Sequence, residues 1–136
     1  MPSPLNQPAP SFTIVASPAT SAETVVATSA TVIVDVPQYA VLLTGLIDIT
    51  IGTSGTAITL KLKRGTATSG TGITSGATWG PYAVTATDEY QFTVMGYDLP
   101  GNVFLQQYCL TATITNGAAT STVNVVCLSA EVAGLS

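Results

Sequence analysis

Along most of this chain the apolar residues recur at every second position, a period that builds strands and rules out surface helices. The longest run shows it best. Between Tyr39 and Ile51, Leu43, Gly45, Ile47, Ile49 and Ile51 share one face of an extended segment, and Leu42, Thr44, Leu46, Asp48 and Thr50 share the other. Ile58, Leu60 and Leu62 alternate in the same way with Thr59, Lys61 and Lys63. Tyr108, Leu110, Ala112 and Ile114 alternate with Cys109, Thr111, Thr113 and Thr115. No window carries the i, i+3, i+4 spacing of an amphipathic helix.

Turn signals divide the pattern into strands at Phe12–Ala16, Glu23–Ala27, Thr31–Val36, Tyr39–Ile51, Ala57–Arg64, Tyr82–Ala86, Glu89–Tyr97, Val103–Thr115 and Ser121–Val132. Gly52-Thr53-Ser54-Gly55 reads as the turn of a hairpin that brings Ala57–Arg64 back along Tyr39–Ile51. Thr66–Thr78 is Gly, Ser and Thr of low complexity, a loop able to bury little. Many short strands with frequent turns predict an all-β chain, a two-sheet antiparallel sandwich of jelly-roll type spanning 23–136. Ahead of it, residues 1–22 form an extended N-terminal arm, because Pro2, Pro4, Pro8 and Pro10 favour polyproline geometry and forbid helix.

Charge is scarce. In 136 residues there are three basic and seven acidic side chains and no histidine, whereas a soluble surface is usually about a quarter to a third charged. Neutral sheet faces of Thr, Ser and Ala on this scale predict contact with copies of the chain or with a partner. Without histidine, Ser-His-Asp and Cys-His catalysis and the common zinc sites have no donors, so no catalytic, cofactor-binding or metal residue is assigned. The spacing of Asp48, Asp88, Glu89 and Asp98 suggests neither a glycosidase pair nor a calcium loop; Asp88 and Asp98 read as turn residues. Three clustered cations are too few for nucleic acid. No apolar run reaches the roughly 18 residues of a membrane helix, and the strands lack the charged lumen face of an outer-membrane barrel. The N-terminus carries no secretory signal, so either the chain stays in the cytoplasm where it is made or a signal has been removed, and Met1 favours the former.

Four groups of residues stand out as candidates for binding. The arm offers Pro2, Pro4, Leu5, Pro8, Pro10 and Phe12 for capsid or subunit docking. Lys61, Lys63 and Arg64 are either guards on an exposed strand edge or docking charges for an acidic neighbour. Trp79 and Tyr82 are either interface anchors or an aromatic platform for a ligand such as a sugar. A hairpin centred on Ala118 places Cys109 opposite Cys127, within disulfide reach, although a reducing cytoplasm favours two buried thiols.

The phrases Thr59-Leu60-Lys61-Leu62-Lys63-Arg64-Gly65-Thr66, Asp98-Leu99-Pro100-Gly101 and Tyr108-Cys109-Leu110-Thr111-Ala112-Thr113 resemble small β-sandwich structural proteins of tailed-phage virions. The resemblance covers roughly 23–132. It implies a jelly roll without catalytic residues, made in the host cytoplasm and placed on the virion surface as a capsid decoration or cement protein. Its expected partners are other copies of itself, as a homotrimer, and the major capsid protein or another virion protein. No nucleic acid or membrane partner is expected. The alternatives are a glycan- or receptor-binding head or tail fibre module, and a subunit that polymerises into a filament or surface layer.

Overall fold

Threonine, valine and isoleucine branch at Cβ and favour extended backbone, and every regular element among the described residues is a strand. The computed structural model describes residues 21–34, 39–101, 104–116 and 121–133. In chain order the strands are β1 (Thr24–Thr28), β2 (Val32–Val34), β3 (Ala40–Thr50), β4 (Ala57–Arg64), β5 (Thr78–Ala83), β6 (Glu89–Asp98), β7 (Phe104–Gln106), β8 (Tyr108–Thr115) and β9 (Thr122–Ala133). The arm residues Pro2 to Phe12 and the strand expected at Phe12–Ala16 lie outside the described residues.

The strands form antiparallel sheets packed face to face as a β-sandwich. One layer is the three-stranded sheet β6-β3-β9, and the other is the four-stranded sheet β1-β8-β4-β5. The short pair β2-β7 continues beside them. The alternation expected from sequence decides which residues face inward. Leu43, Ile47 and Ile49 of β3 and Leu128 of β9 meet Ile58, Leu60 and Leu62 of β4 and Leu110 and Ile114 of β8 in one buried core. Each such aliphatic side chain contributes about 1.5–3 kcal/mol over an exposed one. Gly45 also faces inward, where a Cβ would stand 3.0 Å from Val94, so neighbouring side chains occupy the space a larger residue would need.

Several sequence expectations change in three dimensions. β3 and β4 do not pair as a hairpin. β3 lies between β6 and β9, β4 lies between β5 and β8, and the connection through Gly52 to Thr56 crosses from one layer to the other. Crossing lets the two apolar faces meet across the core, whereas a hairpin would set them side by side. Gly52 N–H donates to Ser121 Oγ at 2.9 Å and Thr56 N–H to the Thr115 carbonyl at 3.0 Å, anchoring the crossing at both ends.

The chain also changes layers between β8 and β9, and that removes the disulfide. Cys109 lies opposite Thr28 and Lys63 in the four-stranded sheet, and Cys127 lies opposite Leu46 in the three-stranded one. Both are free thiols pointing away from the core on opposite sides of the sandwich. Burial pushes the Cys109 thiol up to about 11, which keeps it protonated and unreactive near neutrality.

The run expected as one strand from Val103 to Thr115 breaks at Gln107 into β7 and β8, and its partner breaks at the same level into β2 and β1. Ser29 sits in that break, donating its N–H to the Tyr108 carbonyl at 2.8 Å and accepting Tyr108 N–H on its hydroxyl at 3.0 Å. The final strand before β6 starts at Thr78, earlier than the Tyr82 expected, because Leu60 pairs with Trp79 and Ile58 with Tyr82 around a bulge.

The low-complexity segment after β4 does more than connect. Ile73 is buried, Lys63 pairs with Gly72, and Ser75 exchanges two backbone hydrogen bonds of 3.0 Å with Tyr97 of β6. The segment therefore ties the edge of one layer to the other. The approach is close enough to need glycine on both sides: a Cβ on Gly96 would stand 2.4 Å from the Ser75 carbonyl oxygen, and Gly76 has φ +81°.

At the same end, Asp98 is fully buried, not a turn residue, and joins the layers. It accepts two bonds of 2.7 Å from Arg64, one of 2.9 Å from the Tyr108 hydroxyl, and two of 3.1 Å from Thr74. Burial alone would raise its pKa, but the bonds from Arg64 and Tyr108 outweigh that and hold the carboxyl below its usual range. Such an acid contributes stability that is present above the ordinary carboxylate pKa and is lost as pH falls through its depressed folded value. Asp98→Ala is expected to cost about 2–4 kcal/mol at pH 7, because it strands Arg64 and the Tyr108 hydroxyl. In urea melts at decreasing pH, the gap between wild type and variant should narrow below about pH 4.

Candidate functional site

The core consumes one face of each sheet and leaves two outer faces. On the three-stranded sheet, pairing places side chains in transverse rows: Tyr97, Leu42 and Glu131; Met95, Thr44 and Ser129; Thr93, Leu46 and Cys127; Gln91, Asp48 and Val125. Five large apolar side chains lie in these rows and remain open: Met95 61%, Val125 46%, Leu42 44%, Tyr97 41% and Leu46 39% exposed. Scattered apolar residues are normal on a surface; these five lie together on one face. No lysine or arginine lies on this face.

One end of the face is acidic. A bulge in β9 near Asp48 lets Asn124 reach outward, and its amide donates to Asp48 Oδ1 and Thr50 Oγ1, each at 3.0 Å, and to Glu89 Oε2 at 3.4 Å. Gln91 donates to Asp48 Oδ2 at 3.1 Å. The bond from Asn124, then Glu89 and Gln91, holds the Asp48 carboxyl below its usual range. Glu89 moves the other way, raised by its hydrogen bond with Asp48 and then by the Asp48 charge. The sequence pattern sets Asp48 on the face opposite Leu43, Ile47 and Ile49 but gives no sign of Glu89 or Asn124 beside it, because they come from strands distant along the chain.

The outer face of the four-stranded sheet is different. Lys61 lies between Thr111 and Thr78, with Thr59 and Thr113 on the next row. The three cations do not act as one patch. Lys63 is nearly buried, paired with Glu23 at 2.7 Å and donating to the Thr68 carbonyl at 2.6 Å. Arg64 turns inward to Asp98. Nor do they guard an edge, since β4 lies inside its sheet between β5 and β8. Burial would raise Glu23, but hydrogen bonds from Lys63 and Thr111 lower it overall. Among the described residues Lys61 makes no ion pair.

Trp79 and Tyr82 both sit on β5, facing the opposite layer. The Trp79 indole packs against the core and donates to the Gly76 carbonyl at 2.8 Å, so its N–H is already used. Tyr82 stays partly exposed and stacks on Phe92 with centroids 5.5 Å apart, and Phe92 in turn stacks on Tyr90 at 6.0 Å. These rings close the side of the sandwich between β5 and β6. Among the described residues no group of three or more metal-ligating side chains occurs.

The carboxyl pair yields a pH prediction. A folded-state pKa raised above the unfolded value means a contribution that is complete at low pH and lost as pH rises through the folded value. Ionised Glu89 therefore opposes folding at neutral pH, and Glu89→Gln is expected to raise the thermal midpoint at pH 7 with little difference below about pH 4. Differential scanning calorimetry at both pH values checks the sign.

No family model matches the chain, no curated protein matches it, and no solved structure matches it.

Proposed function

We propose that this protein is a non-enzymatic structural subunit that assembles with copies of itself and coats a larger particle, in the manner of a tailed-phage decoration or cement protein. The observation that carries the reading is the flat outer face of the three-stranded sheet, with Leu42, Leu46, Met95, Tyr97 and Val125 open among neutral hydroxyl side chains. A contiguous set of open apolar side chains on one face is a common mark of an interaction site. The placement of the scarce charge supports the same reading, since two of the three cations serve the fold internally. The free thiols fit a protein that works without a disulfide staple.

The strand order supports a jelly-roll topology. β3, β6 and β9 share one layer, β4, β5 and β8 share the other, and β1 with β2 runs along β8 and β7. In this proposal the Pro-rich arm docks the subunit on the shell or on a neighbour, by adding backbone bonds to an exposed sheet edge.

Two experiments test the proposal. Sedimentation velocity should find wild type as an oligomer and Met95→Lys, a substitution at an open position, as a folded monomer. Deleting residues 1–11 should leave the oligomer intact but abolish co-sedimentation with capsids. Wild type that stays monomeric at high concentration, or a truncation that binds capsids fully, would count against the corresponding half of the reading. Isolated particles should contain the chain in many copies.

A further inference from the structure

The outer faces differ in charge as well as in polarity. After the internal pairs Lys63–Glu23 and Arg64–Asp98 are set aside, Asp48, Glu89 and Glu131 remain on the outer face of the three-stranded sheet. Lys61 remains on the outer face of the four-stranded sheet, among threonines. The sandwich therefore carries opposite residual charge on its two sides.

This bears directly on how copies meet. If the apolar face packed against its own counterpart, no carboxylate on either copy could meet a counter-charge, because that face contains no cation. Like charges facing each other in a desolvated contact oppose association. Packing it instead on the threonine face of the next copy buries the same apolar side chains and sets Lys61 against the Asp48–Glu89 pair. The threonine face suits the role: Thr59, Thr113 and Thr78 are short, neutral and flat, so Lys61 can reach across.

We infer that copies of this protein associate head to tail, the apolar outer face of β6-β3-β9 on one copy seating on the threonine face of β8-β4-β5 on the next, with Lys61 opposite Asp48 and Glu89. The inference rests on the self-assembly reading above. A contact of this kind closes into a ring if the rotation per step divides a full turn, a trimer being the three-step case, and otherwise runs on as an open row.

Charge exchange tests it with two variants. In a head-to-tail contact Lys61→Glu places two acids together and Asp48→Lys places two bases together, so each variant alone should sediment as a monomer. Combined in one chain, the two substitutions place opposite charges at every step, whatever the number of copies in a ring, and should recover the wild-type oligomer. Glu89→Lys replaces Asp48→Lys if circular dichroism shows that the latter is misfolded. Association should weaken at least tenfold in each single variant and return to within a few-fold of wild type in the double variant. If Lys61→Glu associates like wild type, or Asp48→Lys associates more tightly, the contact pairs like faces and the head-to-tail arrangement is wrong while self-assembly stands. If wild type does not associate at any concentration, both fall.

Discussion

The buried carboxylate of Asp98 is the contact on which the closed end of this sandwich depends. It ends β6 in one layer and receives hydrogen bonds from Arg64 and Tyr108 of the other, and Thr74 in the connecting segment completes its shell. A lone carboxylate in that position would be too costly to keep charged. Full satisfaction of its oxygens turns the cost into a device that fixes how β4, β8, β6 and the 65–77 segment sit together. Tyr108 shares in it: burial and the neighbouring Asp98 charge push its hydroxyl pKa far up, so it remains a donor.

The clasp has a consequence for the surface. Arg64 is drawn inward by Asp98, and Lys63 is held by Glu23 and Thr68, so a cluster of three cations in sequence becomes one available cation in space. The same economy leaves the three-stranded sheet with carboxylates only. The polarity between the two outer faces thus follows from the way the fold spends its charges internally, and the proposed mode of assembly follows from that polarity.

Two departures from the local pattern share one cause. The pattern pairs sequence neighbours, as in a hairpin through Gly52–Gly55 or one through Ala118, yet in both cases the flanking strands lie in different layers. Alternation constrains which side chains share a face but carries no information on whether that face closes against the adjacent strand or crosses the core. The low-complexity segment misled differently. Its composition is that of a loop, but Ile73 within it finds a buried site, and Gly76 and Gly96 allow a backbone approach that no period could announce.

The sequence by itself determined that the chain is all-β and which side chains of each strand share a face, because a two-residue period assigns every side chain of a strand to one face or the other. It also determined that charge would be scarce and histidine chemistry absent. Only the tertiary structure decided which strands are neighbours, that Cys109 and Cys127 lie on opposite sides, that Asp98 is a buried partner for Arg64, and that Asp48 meets Glu89 and Asn124. Those are contacts between residues far apart along the chain. They are fixed by how two sheets must close over one core, which a local pattern does not encode.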